Sequence, residues 1–265
     1  MKAMLNSVVV IALTAGFFFA GCEPEKPVAA KPAASAPSPI DPQAAAVLKN
    51  MCQTLDSAKS FSCTVHQIYD SPSASGQLVQ YTRKSDVLVE RPDSMAVKTV
   101  GYDFEKKFWY KGKSMTILDD VSRVYARDEN CPDSITGMLD FLADKYHLVM
   151  PLADLLFPQA DKCMTADVTS GTYLGVHRCG KYRCHHLAFV QPNIDWQVWI
   201  DAGEKPLLRK IMIIYKTQRG MPRYISVIRK WDFSPKISAD SFEPQIPAGT
   251  NLITLDKMFT AEKGK

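Results

Sequence analysis

The chain has 265 residues and a formal charge of +4, with 32 Lys and Arg against 28 Asp and Glu. So small and scattered an excess excludes a nucleic-acid surface built on bulk charge. Beyond residue 21 no stretch approaches the ~20 apolar residues of a membrane-spanning helix, and the remaining body is long enough to bury one sizeable core.

The first expected element is a secretory signal: a basic start at Lys2, an apolar stretch from Val8 to Phe19 and small residues at a cut site. Cys22 directly follows Ala20-Gly21, so the segment resembles a bacterial lipoprotein signal, with Phe19 standing where such signals usually carry Leu. The resemblance implies removal of residues 1–21, a palmitate-type lipid on Cys22 and anchoring in the envelope facing the periplasm. Glu23, where inner-membrane retention would favour Asp, implies the outer membrane. Residues 22–41 are rich in Pro and Ala and read as an extended tether. A single domain is expected over 42–256, with 257–265 a C-terminal tail.

Asp41-Pro42 reads as an N-cap followed by Pro in the first turn, opening a helix over 42–58 with Val47, Leu48, Met51, Cys52 and Leu55 at helical spacing. From Ser60 the period becomes two. Strands are expected at 60–70, 77–90, 94–101, 104–111, 114–119 and 122–127, separated by turn signals such as Arg91-Pro92 and Lys111-Gly112. Residues 131–157 break the pattern. Asp133 would cap a helix carrying Ile135, Met138, Leu139, Phe141, Leu142 and Tyr146, and a second short helix would run from Leu152 through Leu155 to Phe157, stopped by Pro158. Strands resume at 172–178, 182–190, 194–201, 207–216 and 223–233. About eleven strands joined by tight turns predict an antiparallel meander. Ile211 and Ile213 alternate with Met212 and Ile214, so both faces of one strand are apolar. A sheet curled around helices accounts for this; a flat sheet with one wet face does not.

With Cys22 lipidated, six cysteines remain for an oxidising compartment, an even number that favours disulfides. Spacing suggests Cys52 with Cys63, Cys179 with Cys184 across a hairpin, and Cys131 with Cys163 around the helical segment. The dense cluster His177, Cys179, Cys184, His185 and His186 also admits a widened c-type haem attachment or a metal site. Strand geometry favours the hairpin bridge, because adjacent His185 and His186 point to opposite faces. No cofactor or metal is expected. The acidic residues form no catalytic pair, and no nucleophile–base set appears, so the chain does not read as an enzyme. Asp195 and Asp201 read as turn-proximal polar residues around a packed strand.

Several segments carry a resemblance. They include Asp195-Trp196-Gln197-Val198-Trp199-Ile200-Asp201, Pro206-Leu207-Leu208-Arg209-Lys210, Trp231-Asp232-Phe233-Ser234-Pro235-Lys236 and Asp140-Phe141-Leu142-Ala143-Asp144-Lys145-Tyr146. Together with Pro151 to Leu156, Cys184 to Phe189, Asp240-Ser241-Phe242 and Pro247-Ala248-Gly249, they resemble a family of predicted periplasmic proteins of unknown function. That family is related to the outer-membrane lipoprotein carriers and receptors, the LolA/LolB-like group. Over about residues 45–250 the resemblance implies a mainly β fold with helices, a curled antiparallel sheet forming an unclosed half-barrel, an N-terminal helix and a central helical plug or lid over an apolar concave face. It transfers no mechanism, because a fold alone does not fix function.

Two functions remain open. In one, the chain is a non-enzymatic envelope lipoprotein whose half-barrel holds an acyl chain or another lipoprotein's lipid, with Ile135, Met138, Leu139, Phe141, Leu142, Leu155 and Phe157 lining the groove or its lid. In the other, the same sheet holds a protein partner as an interaction or sensor module. Nucleic acid is excluded as a partner, and the membrane is met through the N-terminal lipid.

Overall fold

The computed structural model describes residues 40–102, 105–148, 150 and 152–263. The expected lipidation site Cys22, the expected signal and nearly all of the expected tether lie outside these residues.

Helix α1 (Pro42–Asp56) begins where Asp41 Oδ1 accepts from the Gln43 N–H at 2.8 Å, with Pro42 in the first turn. Ala44, Leu48, Met51, Cys52 and Leu55 form its buried stripe. Six strands follow as a meander: β1 (Ser60–Pro72), β2 (Leu78–Glu90), β3 (Ser94–Gly101), β4 (Glu105–Lys111), β5 (Ser114–Asp119) and β6 (Val124–Asp128). After a helical passage come β7 (Ser170–Cys179), β8 (Tyr182–Val190), β9 (Ile194–Asp201), β10 (Leu208–Tyr215) and β11 (Arg223–Asp232). The tight hairpins at Gly112 and Gly180 place those residues at φ of 56° and 60°, the left-handed region that glycine enters without steric cost.

The two meanders fuse because β11 pairs with β1. The result is one 12-stranded sheet in the order β12-β6-β5-β4-β3-β2-β1-β11-β10-β9-β8-β7, open at both edges. Its twelfth strand, β12 (Asn251–Leu252), lies parallel to β6 and is the strand the sequence reading lacked.

All helices pack against one face, here called inner. The passage between the meanders holds α2 (Ile135–Tyr146), a 3-10 turn (Ala153–Leu156) and α3 (Ala160–Thr165). The cap of α2 is Ser134, whose Oγ accepts from the Gly137 N–H at 3.2 Å, and not the expected Asp133. Pro158 does end the 3-10 turn, but the chain re-enters a helix at Ala160. The fold also does not stop at 256. Helix α4 (Leu255–Lys263) buries Leu255, Met258 and Phe259, so Met258 and Phe259 of the segment read as a tail belong to the core.

The inner face carries two cores. One joins α1 and α3 to β7–β11 through Leu48, Met51, Phe189, Trp196, Val198 and Ile211. The other joins α2 and α4 to β2–β6 through Val89, Met95, Tyr110, Met115, Met138 and Leu142. Trp231, Phe233 and Val87 touch both. Leaving β11, residues 233–250 cross to the opposite, outer face, where Phe242 is buried, Lys111 pairs with Glu243 at 2.9 Å and the Arg123 guanidinium donates to Ala248 O at 3.1 Å. The chain then rounds the β6 edge and returns to the inner face as α4.

Candidate functional site

The plug is built from the bottom by apolar side chains. Ile135, Met138, Leu139 and Leu142 recur at i, i+3, i+4 and i+7 along α2, and each is at most 3% exposed against the β2–β6 half. Phe141 packs on the same core with its ring 5.8 Å from Tyr146, and Phe157 joins it from beyond the 3-10 turn. Leu155 points into the α1 core, whereas Ala153 and Leu156 of the same turn belong to the α2 core. The 3-10 turn therefore straddles the seam between the halves. All seven residues expected to line the groove or lid thus pack inward, and the chain's own helices occupy the inner face that a ligand would use.

The sheet holds this plug with few polar ties. Arg91, just past the end of β2, donates from Nη1 to Leu156 O at 2.7 Å. Its Nε and Nη2 are buried without a partner among the described residues. Burial pulls the guanidinium below its usual range, and Asp56 partly opposes this. The Ile135 N–H donates to Pro92 O at 2.8 Å, and the Tyr110 hydroxyl to Pro132 O at 2.6 Å. Within the 3-10 turn, burial pushes the Asp154 carboxyl up to about 6. Neither Arg91 nor Asp154 stood out in the sequence. The only signals were an Arg before a turn-forming Pro and an Asp inside an apolar run.

The disulfide expectation needs correction. Cys52, Cys63, Cys131, Cys163, Cys179 and Cys184 are all free thiols, so none of the three expected bridges is present. Cys131 sits in the α2 core, whereas Cys163 lies on α3, which packs in the α1 core. Burial, followed by the charges of Asp161 and Asp56 and lastly that of the Cys163 thiol, pushes Cys52 up to about 12. Cys179 and Cys184 are close enough to hydrogen-bond but lie diagonally, because the register pairs Cys179 with Tyr182 and Cys184 with His177.

The histidines divide as strand geometry requires. His185 Nδ1 meets the Tyr173 hydroxyl at 2.8 Å on the inner face. His186 lies outside, stacked on Trp199 at 4.2 Å, with Nδ1 3.1 Å from His177 Nδ1 and Nε2 2.9 Å from Gln197 Oε1. Among the described residues no three His, Cys, Asp or Glu gather as a metal site. Asp201 receives Arg209 Nε and Nη2 at 2.9 and 2.7 Å, and Asp195 receives Lys216 at 2.7 Å, so both carboxylates serve ion pairs beside β9.

An open cleft lies elsewhere. A cleft of about 810 Å³ sits on the outer face, between strands β1–β4 and the crossing segment after β11.

A model of the family described as "Predicted periplasmic protein (DUF2092)" matches residues 44–256. No curated protein sequence matches the chain. Among solved structures, the chain is similar to the lipoprotein LppX of Mycobacterium tuberculosis, at 15% identity and a TM-score of 0.47 over 75% of this chain and 100% of that one. It is also similar to LprF of Mycobacterium bovis, at 12% identity and a TM-score of 0.41 over 82% and 100% of the two chains. A LolA superfamily protein of Nitrosomonas europaea aligns at 9% identity and a TM-score of 0.33 over 76% and 97%.

Proposed function

Since the chain belongs to the predicted periplasmic protein family DUF2092, we propose that it is a non-enzymatic envelope lipoprotein, anchored through Cys22 in the outer membrane, that binds an acyl chain or a lipoprotein's lipid on the inner face of its half-barrel. The observation that carries this reading is the plug. Met138, Leu139 and Leu142 cover the inner face with apolar atoms, and few hydrogen bonds fasten the segment. Removing apolar surface from water is worth ~25 cal/mol per Å². An acyl chain that replaced the plug would return most of that energy, so exchange between plug and ligand needs little net free energy. The buried methionines of this half, Met95, Met115, Met138 and Met258, suit such repacking.

A second reading, a protein-interaction module, is favoured by the β7 edge. Among the described residues that strand pairs on one side with β8 and on the other only through the Ile40–Gly171 bridge, and its Leu174 and Val176 are exposed.

The test is titration of the full chain with a fluorescent fatty-acyl probe, together with mass spectrometry of co-purifying lipid. Saturable binding is expected, weakened by Phe141→Asp or Leu142→Asp in variants whose circular dichroism matches the parent. No saturable binding and no co-purified lipid would leave the protein-interaction reading. The anchor is checked separately: metabolic labelling with a palmitate analogue should be lost in Cys22→Ser, and undiminished labelling would refute lipidation there.

A further inference from the structure

We infer that the outer-face cleft is a second binding site, for a small organic anion carrying a phosphate or carboxylate head on a short apolar body. The site owes nothing to the plug. It is lined in part by inward-facing strand residues such as Cys63, Val87 and Phe108, but the side chains that open onto it point away from the helices, as register and burial require. In β1 to β4, Phe61, Val89, Met95 and Tyr110 belong to the inner core, so the alternate residues Thr64, Leu88, Ala96 and Trp109 face outward. These alternate residues line the cleft, with Pro235 of the crossing segment as its far wall. The floor is therefore apolar and aromatic.

The rim is cationic, and its charges are unevenly spent. Lys98 bonds Glu105 at 2.8 Å, and Lys107 is held by Asp120. Asp86 is occupied by Lys84 and by the Thr64 hydroxyl, each at 2.7 Å. Lys230 and Lys236 also line the cleft, and neither is within ion-pair distance of a described carboxylate. The opposing acid is Asp232, whose Oδ1 already accepts from the Ser234 N–H at 2.9 Å. Four ammonium groups, Lys98, Lys107, Lys230 and Lys236, thus line the cleft against two carboxylates, Asp86 and Asp232, and Lys230 bears on Asp86 only through its charge, without an ion pair.

Lys230 is also aimed there by a backbone irregularity. The register steps from Thr64–Arg229 to Ser62–Asp232, so β11 carries one extra residue against β1. Lys230 sits in this bulge at φ 53°, a left-handed conformation unfavourable for a side chain with a Cβ. The bulge sends Trp231 inward, where its Nε1 donates to Leu208 O at 3.0 Å, and leaves Lys230 on the outer rim. Bulges re-aim side chains, and strain of this kind collects at sites of function. An anion headgroup would meet Lys230 and Lys236 while its body lies on Trp109 and Leu88. An inorganic anion would leave that floor unused, and a cationic amphiphile would meet like charge.

The experiment titrates the full chain by calorimetry with octyl phosphate below its micelle concentration, and in parallel with octyltrimethylammonium and inorganic phosphate. Octyl phosphate is expected to show a saturable site that inorganic phosphate and octyltrimethylammonium lack, over and above any alkyl-chain binding at the inner face that the two octyl probes share. The double variant Lys230→Glu, Lys236→Glu should weaken octyl phosphate at least about tenfold, through loss of two charge-assisted contacts, with circular dichroism unchanged. Lys236→Glu alone, on an irregular segment, should weaken it several-fold without touching the bulge. Phe141→Asp, on the opposite face, should leave it unchanged. Absence of saturable binding, equal binding of inorganic phosphate or the ammonium probe, indifference to the lysine variants, or loss in Phe141→Asp would each overturn the assignment.

Discussion

The two halves of the inner face are both filled, but with different materials. The α1 half packs branched and aromatic side chains: Val65, Val198, Ile194, Ile200, Ile211 and Ile228 surround Trp196 and Phe189, whose rings stack at 4.1 Å. These side chains have few rotamers and fix one arrangement. The α2 half places four buried methionines among Leu and Ile, against two, Met51 and Met164, in the α1 half, and its cover is assembled from α2, α4 and part of the 3-10 turn. Unbranched thioether chains fill irregular space and repack easily. A scaffold and an exchangeable cover can thus share one continuous sheet, because Trp231 and Phe233 close the seam between them and Phe61 supports that seam at 5.6 and 6.3 Å. Any movement of the proposed plug would then fall in the α2 half.

The largest test ties down the scaffold further. With oxidised glutathione as the electron acceptor, the Cys52 and Cys163 thiols should lose two protons and two electrons and form a bridge between α1 and α3. Closing a loop on the order of 100 residues stabilises by up to about 5 kcal/mol. Non-reducing peptide mapping should recover Cys52 linked to Cys163, and Cys131 unlinked. Recovery of Cys131 joined to Cys163 would mean that the halves interleave more than their cores indicate.

Truncation should then distinguish the halves directly. Trp196→Ala removes a ring that is 1% exposed and stacked on Phe189, and should cost about 3 to 5 kcal/mol of global stability. Met138→Ala, fully buried in the plug, should cost less, toward about 2 kcal/mol, because neighbouring methionines collapse into the space. Urea denaturation of both variants measures the difference. Equal losses would remove the distinction between scaffold and cover.

Most of this organisation was visible in the sequence where the signal is local. Alternation at period two marked eleven strands, and Asp41-Pro42 with its apolar stripe marked α1. What escaped was short or assembled from afar. A two-residue ladder such as β12 has no period to detect. Helix α3 spans six residues just behind Pro158. For α4 a signal existed, since Leu255, Met258 and Phe259 fall at i, i+3 and i+4, but the run was short and lay near the chain end. The outer cleft gathers residues from Ser62 to Lys236, and Arg229-Lys230-Trp231 reads as ordinary alternation until the register exposes the bulge. The cysteine pairing failed for the same reason: Cys163 is near Cys52 only because α3 folds back onto α1.

A pH test bears on the seam. Burial raises the Asp154 carboxyl from its ordinary 3.8 to about 6, so the folded chain holds this proton more tightly than the unfolded chain. Its stabilising contribution is complete below pH ~4 and is lost as the pH rises through about 6. At neutral pH the 3-10 turn therefore carries a penalty of at most about 3 kcal/mol, from 1.36 kcal/mol per pH unit. The Cys163 thiol, itself raised by burial and in part by Asp154, stays protonated throughout this window. Asp154→Asn should stabilise the chain in urea at pH 7.5 and change little at pH 4. A pH-independent effect would mean that the carboxyl is solvated and that the seam does not strain it.

The smallest effect is the most discriminating, because it touches only the tie between sheet and cover. Arg91 Nη1 donates to Leu156 O at 2.7 Å, while Nε and Nη2 are buried without partners among the described residues. Arg91→Met keeps a long apolar stem and removes every donor. A hydrogen bond from a charged group is worth about 1.5 to 3 kcal/mol, but each buried donor left unmade costs about 1 to 3. The losses and gains nearly cancel, so global stability should move by no more than about 1 kcal/mol. Local opening behaves differently, because the orphan donors regain water when the turn lifts, whereas the methionine has none to hydrate. The wild-type plug therefore combines a latch with a built-in reward for opening, and Arg91→Met removes both. Amide exchange at Leu155, Leu156 and Phe157 should change by about tenfold or less, with α1 amides unaffected. If α1 exchange shifts in step, the halves open as one unit, and the division of the inner face into scaffold and cover does not hold.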